Sequence, residues 1–110
     1  MSYPSALALT MAVEVPVYVA AITTASPARY GRTAAVAVMV NLVTHPVLWW
    51  FLSRVPAGGY WPAFTVAEGV VCLVEGALAA WWLRLRGPVP YAASVAANAA
   101  SVIAGMLLLT

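Results

Sequence analysis

The chain has no lysine, one cysteine, one histidine and three acidic residues. Charged residues make up only 7% of its 110 residues, against about 25% in an ordinary soluble protein. A chain so poor in charge cannot cover a water-facing surface, which excludes a separate soluble domain. The net charge of +2 comes with no basic patch and no nucleic-acid motif, so it gives no hold on nucleic acid. Cys72 stands alone and cannot form an internal disulfide. With a single histidine beside it, the paired spacings of a structural zinc site are excluded as well. The opening MSYPSALAL lacks the basic segment of a signal peptide, and the apolar run that follows contains Glu14 and Pro16. It reads as a retained helix rather than a leader.

What is present is apolar: 65% of the residues are hydrophobic. A membrane-spanning helix needs about 20 predominantly apolar residues, and four runs qualify. They extend from about Pro4 to Thr24, Thr33 to Ser53, Trp61 to Leu83 and Val89 to Leu109. Turn residues separate them: Ser26-Pro27 with Gly31, Pro56 with Gly58-Gly59, and Gly87-Pro88. The expected fold is all-α, a bundle of four transmembrane helices forming one integral membrane domain over residues 1–110. Short linkers make successive helices antiparallel neighbours.

Aromatic residues fall where two interfacial belts would place them. Tyr3, Trp49, Trp50, Tyr60 and Trp61 lie at one membrane edge, and Tyr30, Trp81, Trp82 and Tyr91 at the other. Tyr18, inside the first span, is the exception. Arg29 and Arg32 lie in the first linker, Arg84 and Arg86 in the third, and only Arg54 in the second. This bias predicts linkers one and three in the cytoplasm and both termini extracytoplasmic, in a bacterial inner membrane.

The acidic residues do the opposite of the arginines. Glu14, Glu68 and Glu75 all lie inside apolar spans. An ionisable group at the bilayer centre costs roughly 2.5–3.5 kcal/mol on insertion scales, so it calls for an explanation. No arginine lies at their depth, and without a cationic partner a buried carboxyl favours its neutral form. The other spans contribute polar residues to the same layer. Asn41, Thr44 and His45 share one helix face, as do Glu68, Cys72 and Glu75, and as do Ser94, Asn98, Ser101 and Gly105. Facing these inward gives a polar interior sheathed in Val, Leu, Ile and Ala.

Pro16 frees the carbonyl of Ala12, and Pro46 that of Leu42. Each reads either as a packing kink or as a source of carbonyl ligands for an ion or a water path. The order Glu14, Arg29/Arg32, Asn41-Leu42-Val43-Thr44 is echoed by Glu75, Arg84/Arg86, Asn98-Ala99-Ala100-Ser101. The echo predicts two parallel helical-hairpin repeats about the membrane normal, although the spacings match only with a gap. Ala97, Ser101 and Gly105, with Ala93 one step earlier, form a small-xxx-small row. That row reads either as intrachain helix packing or as a homodimer face.

Three functions are compatible with this pattern. The leading one is transport of protons, metal ions or small cations. In it Glu14, Glu68, Glu75 and His45 titrate or coordinate, and Asn41 and Asn98 assist. If a metal binds, Glu14, His45, Glu68 and Glu75 are its candidate ligands. The alternative is an accessory or assembly subunit of a larger membrane complex, with a homo-oligomer or a membrane-protein partner in the bilayer. Enzyme chemistry is disfavoured: Cys72 has no basic activator, Ser101 has no adjacent base, and His45 alone cannot supply bis-histidine haem ligation within one chain. The residues leave the identity of any cofactor unknown.

In size, span number and the early glutamate, the chain resembles the small multidrug resistance transporters. That resemblance implies that Glu14 is the membrane glutamate which binds protons and cationic drugs in alternation, and Tyr60-Trp61 is similar to the family's third-helix aromatics. The chain departs from it in Glu68, Glu75, His45-Pro46 and the two Asn-x-x-[Ser/Thr] stretches. It also resembles uncharacterised small bacterial four-helix membrane proteins. Those carry Glu-x-Pro (Glu14, Pro16), Asn-Leu-x-Thr-His-Pro (Asn41 to Pro46), later glutamates and Asn-x-x-Ser (Asn98, Ser101). This second likeness implies no activity.

Overall fold

A computed structural model of the protein describes residues 2–108. Four long helices follow one another: α1 (Tyr3–Ala25), α2 (Tyr30–Ser53), α3 (Tyr60–Leu83) and α4 (Val89–Leu108). Each is long and apolar enough to cross a membrane. The expected spans match to within three residues, except that the expected end of the fourth, Leu109, lies outside the described residues. The largest shift is at α2, which starts at Tyr30 rather than Thr33. Hydropathy stops at Arg32, but the backbone keeps its helical hydrogen bonds past the hydrocarbon edge.

Helix ends follow from local chemistry. Ser2 caps α1 by accepting from the Ser5 backbone N–H at 3.4 Å, and Pro4 stands in the first turn, where its missing N–H costs nothing. Arg84 closes α3 in the left-handed conformation (φ 55°). The next residue, Leu85, then donates its N–H to the Ala80 carbonyl at 2.9 Å, and Gly87 at φ 90° completes the reversal. A short 3-10 turn, Ala57–Gly59, connects α2 to α3.

The helices form an up-down-up-down square. α1 packs on α2 and α4, and α3 packs on the same two, so α1 and α3 stand diagonally. The bundle measures 44 × 23 × 19 Å. The surface large hydrophobics include the belt residues Tyr30, Trp50, Trp61 and Trp81. Arg54 lies over the Trp50 ring at 4.7 Å, and Arg32 donates to the Trp82 carbonyl at 2.8 Å, which anchors both edges.

The two ends of the square are packed differently. Toward the first and third linkers the interior is filled by Tyr18, Ile22, Ala37, Val40, Leu83 and Ala93. Small residues bring the helices together there: Ala79, Ala93 and Ala97 are all buried. The tightest point is Gly76. A Cβ added to it would fall 2.5 Å from Tyr91 Cδ1 and 3.1 Å from Tyr91 Cα. Toward the termini and the second linker the helices stand apart.

Pro16 and Pro46 are both exposed on the outer face, as are Ala12 and Leu42. The carbonyls they free therefore lie on the lipid side and do not serve an interior ion path, which leaves the kink.

Gly76→Ala should destabilise the bundle by roughly 1–3 kcal/mol, as overpacking does, because the Tyr91 backbone cannot yield as a side chain could. Gly69→Ala, where the new methyl meets nothing within 4 Å, should not destabilise it. Reversible unfolding in bicelles would separate the two. Equal stabilities would contradict the close α3–α4 approach.

Candidate functional site

Where the helices part, they enclose a cavity of about 450 Å³. Its walls come from the first half of α1, the second half of α2 from Asn41 on, the first two-thirds of α3 and the second half of α4 from Asn98 on. These are the segments nearest the termini and the second linker, so the cavity opens at that end. Trp49, Tyr60, Trp61 and Phe64 line its outer part, and Glu14, Glu75, Asn98 and Ser101 lie at its floor. Past the floor the packed core begins.

Glu75 is buried, and its carboxyl ties all four helices together. Oε1 accepts from the Tyr18 hydroxyl of α1 at 2.6 Å and from the Asn98 Nδ2 of α4 at 3.0 Å. Oε2 contacts the Thr44 hydroxyl of α2 at 2.5 Å. Asn98 is held in turn by donating to the Ser94 carbonyl at 2.9 Å. Ser94 itself donates to the Cys72 carbonyl at 2.9 Å, so α3 and α4 are joined twice.

Glu14 is equally buried but only half satisfied. The Ser101 hydroxyl meets its Oε2 at 2.7 Å, while its Oε1 is buried without a hydrogen-bond partner. Nearby, Asn41 donates one amide hydrogen to the Ala37 carbonyl at 2.8 Å, and its amide also stands beside the Glu14 carboxyl.

The two sites are reciprocal. Thr44, from the first hairpin, contacts the glutamate of the second, and Ser101, from the second, contacts the glutamate of the first. This is the arrangement expected of two parallel hairpins related about the membrane normal. The gap in the sequence echo is one helical turn, by which the stretch from Glu14 to Asn41 exceeds that from Glu75 to Asn98. The sites differ one turn deeper. Tyr18 follows Glu14 by four residues and donates to Glu75, whereas Ala79 follows Glu75 by four residues and has nothing to donate to Glu14. Tyr18 therefore has a task that its sequence position, away from both belts, only hinted at.

Each of the two hydroxyls that meet these carboxyls also stands beside a main-chain carbonyl. A hydroxyl carries one proton. Thr44 stands within reach of the Glu75 Oε2 and, at 2.9 Å, of the Val40 carbonyl. Ser101 stands within reach of the Glu14 Oε2 and, at 3.0 Å, of the Asn98 carbonyl. Each hydroxyl can donate to only one of its two acceptors.

The remaining expected residues are distributed unevenly. Glu68 is half-buried, lines the cavity wall and forms no hydrogen bond among the described residues. His45 lines the cavity too, with its Nδ1 buried and unpartnered and its ring against Tyr3 (5.4 Å) and Trp49 (6.2 Å). Among the described residues no three of His, Cys, Asp and Glu gather closely enough to hold a metal ion. Glu14, His45, Glu68 and Glu75 thus share a cavity without forming a ligand cluster. In the small-residue row, Ala93 and Ala97 are buried inside the chain, Ser101 serves Glu14, and Gly105 opens onto the cavity. The row works in intrachain packing.

Comparison with protein-family models, with characterised proteins and with solved structures gives no match.

Proposed function

We propose that the protein is a small membrane transporter that moves protons or small cations, with Glu14 as the group that exchanges its proton. The observation that supports this most is the cavity. It opens at one end and stops at a buried carboxyl with one oxygen left unpartnered. A carboxyl needed only to glue helices would be satisfied on both sides, as Glu75 is. The arginine bias supports an orientation in which the open end faces the extracytoplasmic side of a bacterial inner membrane.

The division of labour follows from the contacts. Glu68 lies on the route in, and Glu14 binds and releases. The clasp of Tyr18, Thr44 and Asn98 on Glu75 holds the floor shut toward the arginine-rich end. Transport across the membrane then requires that clasp to loosen while the mouth closes. A hydrogen-bonded set drawn from all four helices can switch between two arrangements as a unit.

A second reading, an accessory subunit of a larger membrane complex, draws on a different feature. Between α2 and α3 runs an outer groove of about 400 Å³, lined by Val43, Val47, Val66, Val70 and Val74 among others. A partner helix would fit its apolar wall. Purification in mild detergent separates the readings, since an accessory subunit brings down a stoichiometric partner.

Reconstituted into pyranine-loaded liposomes under an imposed membrane potential, the protein should carry proton current. Glu14→Gln should reduce that current at least about tenfold with helicity and gel-filtration profile unchanged, as expected for loss of an essential proton-transfer group. Undiminished current in a folded Glu14→Gln protein would defeat the transporter reading.

A further inference from the structure

We propose that the cavity binds a slender organic dication, a terminal alkyl diamine, with Glu14 and Glu68 each receiving one ammonium group. This deepens the transporter reading and rests on it for the purpose of the site, though not for its chemistry.

Size and donor set come first. A space of about 450 Å³ far exceeds a bare ion. A hard cation needs six or more oxygen ligands converging on one point, and here the carboxyls do not converge. An organic cation needs only one good acceptor for each charged end and a matching wall between them.

The number of free acceptors comes next. Of the three carboxyls, Glu75 is already filled by Tyr18, Thr44 and Asn98. Two remain open to the same cavity. Glu14, only 2% exposed, has the unpartnered Oε1, and Glu68 has no hydrogen bond at all among the described residues. No arginine approaches either one, so the cavity offers two acidic ends and no internal cation.

Spacing then selects the shape. Glu68 lies seven residues before Glu75 on α3, about 10 Å along the helix axis. Ser101, which holds Glu14, lies three residues mouthward of Asn98, which holds Glu75, or about 4.5 Å. Glu14 and Glu68 are therefore separated by on the order of 6 Å along the bundle axis, the span of a short methylene chain. Val71, Phe64 and Val102 line the cavity with them, and such side chains suit methylenes rather than water. As the inner ammonium docks, Glu14 gives up its proton to the water of the cavity, and a charge-assisted hydrogen bond replaces it.

The test is equilibrium binding in nanodiscs, read by the fluorescence of Trp49 and Trp61, with diaminohexane, diaminobutane, hexylamine and sodium chloride as probes. A second charge-assisted contact should make a diamine bind about tenfold or more tightly than hexylamine, with no saturable response to sodium. Glu68→Gln, at a half-buried residue without hydrogen bonds, should fold normally and reduce the diamine to the affinity of hexylamine. Glu14→Gln should weaken both amines about tenfold or more. Equal affinities for diamine and monoamine in the unmodified protein, or a diamine advantage that survives Glu68→Gln, would overturn the proposal. The two readings fail separately. Glu14-dependent proton current without diamine binding removes the dication and leaves the transporter. Glu68-dependent diamine binding without any current supports the site and removes the transporter.

Discussion

One buried carboxyl holds this bundle in register. Glu75 sits on α3 and is met by Tyr18 from α1, Thr44 from α2 and Asn98 from α4. A lipid-embedded bundle gains little from apolar contact between helices, since lipid is as apolar as leucine. Small residues and polar contacts decide how such helices meet, and here both occur at one level: Gly76 admits Tyr91, and the residue before it gathers four helices. Three contacts of roughly 1 kcal/mol each are of the size needed to offset an insertion cost of about 3 kcal/mol for a carboxyl at mid-membrane.

Glu14 carries the same insertion cost with one close side-chain hydrogen bond, from Ser101, instead of three. The difference traces to two pairs of positions: Tyr18 reaches Glu75 where Ala79 has nothing to give Glu14, and Asn98 donates to Glu75 at 3.0 Å where Asn41 donates to the Ala37 carbonyl. A pair of similar hairpins thus yields one carboxyl that is structurally committed and one with binding capacity to spare. The spare capacity faces the cavity, and the committed carboxyl lies between the cavity and the packed core. On the proposed transporter reading, stability and function are in this way divided between two copies of one local motif, rather than competing within one.

The fold was legible in the sequence because its signals are redundant: four apolar runs, turn residues between them, aromatic belts and arginines at the edges all give the same answer. The inward direction of Asn41, Thr44, Asn98 and the buried glutamates was legible from helical spacing, because exposing them to lipid is the only other choice. Which carboxyl is satisfied was not legible. It depends on contacts across the diagonal of the square, from Tyr18 to Glu75, and no periodicity along a single helix encodes those. The cavity was hidden for a related reason. Hydropathy assigns a helix to the membrane but does not say at which end four helices part. The prolines misled in a smaller way: their position beside the polar residues suggested carbonyl ligands, yet both rings point outward.

The account depends on water entering from one end and stopping at the glutamates. The most direct measurement is a cysteine scan of α4 in proteoliposomes on a Cys72→Ala background, labelled by a charged thiol reagent applied at the end that carries the termini. Cysteines at Gly105 and Met106, which line the cavity, should react quickly, while those at Ala93 and Ala97, buried beyond the floor, should stay unlabelled. Rapid labelling at Ala93 or Ala97 from that side, or none at Gly105, would contradict a cavity that ends on the carboxyls.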